Sequence, residues 1–312
     1  MTAPGPRVRR RRHDPAAAEP IVPAGLSTVD LHTHSLRSDG LLEPLELIRA
    51  AAASGITTFA VTDHDNLVGY REIVAASAVP PGMALIPGVE INALVTRDLG
   101  LWEGELHILG FGVDPGDEEF EAILGLQRER RRIRFDRTVG RLRELGLSID
   151  PQVAALAGGE DAALGRPTLA RALVAAGHAT SVEDAFRRLL GHGCPAYVPR
   201  EGLGPVEAIT AIRSAAGLAT LAHFSEAPER TDVIRDLMGV GLAGLEVYHR
   251  SFDATTVDAV SAVAVSLGLT PTGGSDYHGD SGSYAEIHAG LWVPPEVAAT
   301  VQARIESATR ST

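Results

Sequence analysis

The chain contains no lysine; all 28 of its basic side chains, among 312 residues, are arginine. That absence excludes a P-loop lysine, a Schiff-base lysine and the lysine that bridges metals in many amidohydrolase barrels. There is one cysteine, Cys194, so no internal disulfide framework exists and a reducing cytoplasm is the expected compartment. No apolar run approaches the ~20 residues needed to span a bilayer, so no membrane association is expected. The formal charge of -12 argues against general attraction to nucleic acid, although bound divalent cations would neutralise part of that acidity.

What is present supports a large α/β domain, since 45% apolar content over this length supplies a sizeable core. Residues 1–26 carry Arg7, Arg9, Arg10, Arg11 and Arg12 in a Pro- and Ala-rich context without an apolar segment. They read as a disordered tail rather than a secretory signal. From 27 to 116, short apolar runs at 28–34, 57–64, 84–92 and 105–112 alternate with helical patterns at 44–54 and 68–78. Such alternation predicts βαβ units and a parallel sheet. Between 117 and 200 the alternation stops, and helical patterns at 118–145, 150–157, 168–176 and 181–190 predict a helical insertion. Ser181 to Asp184 has the spacing of a capping box at a helix start. The strand pattern resumes in 201–312 with runs at 218–224, 244–249 and 269–278, and 290–293 reads as a further short strand. Seven main strands predict a distorted (β/α)7 barrel rather than a regular eightfold one.

Chemistry-bearing residues fall at or just after those apolar runs: His32 and His34, His64, Glu90, His107, His223, Asp276 and His278, with Asp39 in the loop after the first run. Side chains alternate along a strand, so His32 and His34 share a face and can grip one ion; Asp276 and His278 repeat that spacing on the last run. Nine ionisable groups gathered at strand ends need charge partners, and divalent cations would supply them. Asp63 and Asp65 flank His64 and read either as supports for a ligand or as strand-end caps.

The segments Asp30-Leu31-His32-Thr33-His34-Ser35, Thr62-Asp63-His64-Asp65, Gly88-Val89-Glu90, His107-Ile108-Leu109-Gly110 and Gly274-Ser275-Asp276-Tyr277-His278 resemble the successive motifs of the PHP (polymerase and histidinol phosphatase) superfamily. Leu164-Gly165-Arg166-Pro167, Pro195 to Arg200 and Gly244 to His249 are similar to the branch with 3',5'-nucleoside bisphosphate phosphatases and 5'-3' exoribonucleases. The resemblance implies three divalent ions, with manganese foremost and iron or zinc as alternatives. It implies His32, His34, Glu90 and Asp276 around the first; Glu90, His107 and His223 around the second; and Asp39, His64 and His278 around the third. Two departures concern substrate loops: Thr168 stands where the family usually has histidine after Gly-Arg-Pro, and Phe224 where proline usually follows His223.

The implied activity is metal-dependent hydrolysis of a phosphoester. The substrate would be a phosphorylated nucleotide or a short oligonucleotide, with no obligate protein partner. Arg166 and Arg200, near Tyr197, would bind phosphate, since a planar guanidinium suits bidentate contact. His223, His249 and a metal-bound water are the candidates for protonating the leaving group. Histidinol-phosphate phosphatase and a non-catalytic metal-binding module are the rival readings. The run of arginines from Arg128 to Arg143 reads as a solvated helix face, with an RNA-backbone surface as the alternative. His13, His178, His192 and His288 carry no expected role.

Overall fold

The computed structural model describes residues 27–95, 104–156, 164–279 and 281–309. The arginine-rich tail of 1–26 lies outside them. Seven strands form one sheet in chain order: β1 (Val29–Asp30), β2 (Thr58–Val61), β3 (Ala84–Val95), β4 (Gly104–Phe111), β5 (Leu218–Leu221), β6 (Gly244–His249) and β7 (Thr270–Gly274). The sheet curls until its edges meet. Leu31 N–H donates to Gly273 O at 3.1 Å, Asp276 N–H to His32 O at 2.7 Å and His34 N–H to Tyr277 O at 2.9 Å. This is the distorted seven-stranded barrel that the sequence predicts.

Two expectations fail. β4 runs antiparallel to both β3 and β5, with Asn92 opposite His107 and Ile108 opposite Leu221. The physical reason lies in the length of the connection: residues 96–103 are fewer than the dozen or more that a parallel crossover needs, so β4 pairs antiparallel to β3. The short strand expected at 290–293 does not form; Leu291 and Val293 instead pack with Val297 and Val301 against Val29, Phe111 and Leu218.

Helices cover the sheet where the periodicity places them. α1 (Pro44–Ala53) has Pro44 in its first turn and a Glu43–Glu46 capping box, and it buries Leu47, Ile48 and Ala51 on one stripe. α2 (Val68–Ala75) follows β2. α3 (Glu118–Glu144) starts at Asp117, whose side chain accepts from Phe120 N; acids fill its first turn and Arg141 and Arg143 its last, matching the helix dipole. Its buried stripe of Phe120, Leu124, Phe135, Thr138 and Leu142 spans both the barrel and the helical segment that follows.

That segment holds α4 (Asp150–Leu156), α5 (Arg166–Ala175), α6 (Val182–Ala185) and a π-helical turn at Phe186–Leu190. It has its own apolar cluster, built from Phe135, Leu142, Leu169, Leu173 and Leu190. Ser181 accepts from Asp184 N at 3.1 Å, as a cap should, but Asp184 answers Thr180 N rather than Ser181 N. The barrel resumes with α7 (Pro205–Ser214), α8 (Thr231–Gly239), α9 (Ala254–Leu267), α10 (Tyr284–Ala289) and α11 (Glu296–Thr309). Among the described residues no helix is long and apolar enough to cross a membrane.

Candidate metal centre

All nine proposed ligands meet at one end of the barrel. Glu90, on β3, is the hub: its Oε1 lies 2.6 Å from His107 Nδ1 and 3.4 Å from His223 Nε2. Its Oε2 lies 3.1 Å from His34 Nε2, 3.1 Å from His64 Nδ1 and 3.4 Å from His32 Nε2. Asp276 Oδ1 stands 3.4 Å from His32 Nε2 and 3.3 Å from His34 Nε2, and Asp39 Oδ1 stands 3.1 Å from His278 Nε2. Three groups of donor atoms are each close enough to share an ion: His32, His34 and Glu90; Glu90, His107 and His223; and His34, Asp39, His64 and His278. His34 thus reaches the third group as well as the first.

The backbone brings them there with some strain. Asp276 and His278 are not on β7, which ends at Gly274; they follow it, as His32 and His34 follow β1. A bridge between Thr33 and Tyr277 ties the two segments side by side, and His32 and His34 both face Glu90. Asp65, His223 and Asp276 have φ of 52°, 32° and 48°, a left-handed conformation costing roughly 1–3 kcal/mol each. Buried carboxylates hold the frame. Asp30 accepts from Ser275 N, Ser275 Oγ and Tyr284 Oη at 2.8, 2.7 and 2.6 Å. Asp63 accepts from Ser35 N and Oγ and from Ser38 Oγ, fixing the turn that carries Asp39 rather than touching His64.

The donor set fits divalent cations. His32 Nε2, His34 Nε2, His64 Nδ1 and Asp39 Oδ1 are buried without a hydrogen-bond partner, although buried polar atoms are nearly always satisfied. All four point into the cage, and mixed imidazole and carboxylate donors suit transition metals. Electrostatics agree. Burial opposes ionisation of Asp39, Glu90 and Asp276, but the surrounding histidines outweigh it and hold each carboxyl well below its usual range. Burial likewise opposes the charged form of His278, yet Asp39 and Asp276 push it up to about 10. Acids held charged in a buried cage call for positive charge, which bound metal would provide.

Beside the cage lies a cleft of about 180 Å³, lined by Asp39, His64 and His107 on one side and by Arg131, Arg134, Arg166 and Arg200 on the other. Arg166 Nη2 and Arg200 Nη1 each stand 3.4 Å from a Glu105 oxygen, and Arg134 Nη1 stands 3.8 Å from Oε1. Burial, and then Arg131, push Arg200 down to about 10; burial, and then Arg166, do the same to Arg134. Both shifts come first from burial and then from crowding by a neighbouring guanidinium. Arg131 pairs with Asp65 and with Asn92, and Asn92 Nδ2 contacts His107 Nε2 at 2.7 Å.

The remaining candidates divide. His249 joins the cage rim, its Nε2 3.5 Å from Asp276 Oδ2 and its Nδ1 2.8 Å from Ser251 Oγ. Tyr197 does not line the cleft; it packs against Arg134 and His192. Along the rest of α3, Arg132, Arg137 and Arg143 pair with Glu129, Glu201 and Asp150, as a solvated face would. His178 and His288 contact backbone carbonyls of Ser148 and Ser27. Three residues were not anticipated, Glu105, Asn92 and Glu246, while Arg131 and Arg134 of the arginine run line the cleft. Glu105 had a signal, since a residue two before His107 shares its strand face. Glu246 had one too, as a lone acid between Leu245 and Val247 on a buried strand.

Residues 30–139 match the PHP domain family. The chain is 32% identical over 270 residues to a 3',5'-nucleoside bisphosphate phosphatase of Chromobacterium violaceum, covering 81% of this chain and 88% of that one. It is 37% identical over 197 residues to a 5'-3' exoribonuclease of Haemophilus influenzae, covering 62% of this chain and 68% of the relative. A crystal structure from Bifidobacterium adolescentis, assigned as a metal-dependent phosphoesterase, superposes with a TM-score of 0.78 at 30% identity, covering 92% of this chain and 98% of that one. Fold, motif spacing and likeness across most of the chain converge, and the chain belongs to the PHP family.

Proposed function

We propose that this PHP protein is a metal-dependent phosphoesterase that hydrolyses phosphate monoesters or 5'-terminal phosphodiesters of nucleotides or short RNA. One observation carries the reading: Asp39, His64 and His107 belong both to the cage and to the wall of the arginine cleft. An anion held by the arginines therefore rests against the cage. The relatives named as acting on nucleoside bisphosphates and RNA support the substrate class.

His32, His34, Asp39, His64, Glu90, His107, His223, Asp276 and His278 would hold three ions, with manganese foremost and iron or zinc the alternatives. Divalent ions there would acidify a water and polarise the phosphoryl oxygens. Arg166 and Arg200 would bind the non-transferred phosphate oxygens, joined by Arg134 from the same cleft. Their fixed guanidinium planes would stabilise charge as it shifts toward the leaving oxygen. His249 is assigned the proton at its Nε2, which has no hydrogen-bond partner, whereas His223 Nε2 is engaged with Glu90 and His107. All four cleft arginines, Arg131, Arg134, Arg166 and Arg200, come from residues 117–200, so the helical insertion would carry substrate recognition on the barrel. The lone Cys194 is consistent with a cytoplasmic enzyme.

The test compares phosphate or mononucleotide release from adenosine 3',5'-bisphosphate, a 5'-phosphorylated trinucleotide and histidinol phosphate, before and after chelation and metal replenishment. The reading expects turnover of at least one of the first two, lost on chelation and restored by metal. Cleavage of histidinol phosphate alone would replace the substrate assignment, and turnover indifferent to chelators would end the metal reading.

A further inference from the structure

The two ring nitrogens of His32 keep different company. Nε2 has no hydrogen-bond partner and lies 3.4 Å from both Glu90 Oε2 and Asp276 Oδ1. Nδ1 lies 2.9 Å from Oε1 of Glu246, a fully buried carboxylate on β6. The other oxygen of Glu246 accepts the backbone N–H of His223 at 2.7 Å, at the residue whose φ is 32°. One side chain therefore grips a histidine of the first donor group through its ring and a histidine of the second through its backbone.

We propose that Glu246 is a positioning residue that sets the proton of His32 on Nδ1 and holds the strained turn at His223, so that two donor groups are assembled by one carboxylate outside the cage. This rests on the metal reading above. The argument is one of donors and acceptors. A neutral imidazole carries one proton, and an N–H given to Glu246 leaves the Nε2 lone pair directed into the cage, where a ligand must have it. Both Glu246 oxygens act as acceptors, one for a ring N–H and one for a main-chain N–H. A carboxamide has the same shape but only one acceptor. If its oxygen faces His223, its NH2 faces His32 Nδ1 and drives the proton to Nε2, into the cage. If it is turned round, NH2 meets the His223 N–H, donor against donor, and the turn loses its anchor.

Glu246→Gln is thus nearly isosteric yet wrong in either orientation. In chelator-stripped protein titrated with Zn2+ by calorimetry, it is expected to weaken binding by roughly 10- to 100-fold relative to wild type. A second measurement needs no variant. In Zn2+-loaded wild type, 15N-histidine spectra should show His32 protonated at Nδ1, with a slowly exchanging N–H. A proton on Nε2 in that spectrum, or equal Zn2+ affinity in Glu246→Gln, overturns the role of Glu246 while leaving the metal reading standing. Wild type that takes up no Zn2+ overturns the metal reading itself, and the two failures are told apart by the wild-type titration alone.

Discussion

Gly274 lies so close under His32 that a β-carbon on it would stand 2.3 Å from His32 N and 2.4 Å from His32 Cβ. The close approach is what lets the end of β7 run beside the start of the chain's first ligand segment, and it places the Asp276 carboxylate against both His32 and His34. Gly274→Ala is expected to cost about 1–3 kcal/mol, the usual range for an overpacked core position. Urea unfolding of the chelated protein measures it. Because backbone and Cβ of a ligand must move, metal uptake should fall as well; a variant with normal stability would show that His32 has room to shift.

The metal-free protein should lose stability as the solution becomes alkaline. His278 is held up at about 10 in the folded state, against an ordinary 6.5, because Asp39 and Asp276 outweigh burial. The folded state thus binds this proton more tightly than the unfolded one. Its contribution is fully present below about pH 6.5 and disappears as pH rises through about 10. Asp39, Glu90 and Asp276 are shifted the opposite way, so their contribution is present above the ordinary carboxylate range and is lost in acid. Metal affinity should rise over the same alkaline window in which stability falls, since a ligand must shed its proton. Thermal unfolding of chelated protein from pH 6 to 10 checks this; a midpoint that climbs across that range would contradict the assigned pairing.

Much of this was legible in the chain because metal ligands must recur at strand ends, and apolar runs mark those ends. His32, His34, Glu90 and His223 could be placed on the barrel mouth from pattern, whereas His107, in the first half of β4, reaches that mouth because the strand runs antiparallel. What pattern could not supply was direction and partnership. The antiparallel course of β4 depends on the length of a connection rather than on the strand's own alternation, so it read as parallel. Asp276 and His278 belong to the segment after β7, held by the bridge at Tyr277, which is a tertiary contact. Glu246 and Glu105 are single acids whose meaning appears only when His32 or three arginines arrive from distant parts of the sequence. For Tyr197 likewise, nearness to Arg200 in sequence does not set where the ring packs, which is against Arg134 and His192.

Glu105 should act as a competitor for the phosphate it resembles. Its carboxylate faces Arg134, Arg166 and Arg200 at 3.4 to 3.8 Å, longer than a tight charge-assisted hydrogen bond, and its pKa is about 2 because those arginines override the effect of burial. An incoming anion must share or displace those contacts. Glu105→Gln is expected to strengthen inhibition by inorganic phosphate about tenfold, or ~1.4 kcal/mol. Inhibition constants measured at fixed salt decide it. Weaker inhibition would mean that the carboxylate orients the arginines and that its loss disperses them.

Arg131 ties the helical segment to the barrel through a largely buried ion pair, and its removal should be costly for a reason that a double variant exposes. It donates to Asp65, at the strained position after His64, and to Asn92, which contacts His107. Arg131→Met would strand the Asp65 carboxylate, a change that typically costs about 3–5 kcal/mol. Arg200 Nη2 is 3.7 Å from the same oxygen and would take up part of that charge, which puts the expected loss near ~3 kcal/mol. Adding Asp65→Asn should recover part of it, because the cost lies in the unpaired charge rather than in the missing methylenes. Unfolding free energies for the two single variants and the double one close the cycle. If the double variant were no more stable than Arg131→Met, packing of the arginine stem against the barrel, and not the ion pair, would be what joins the two parts.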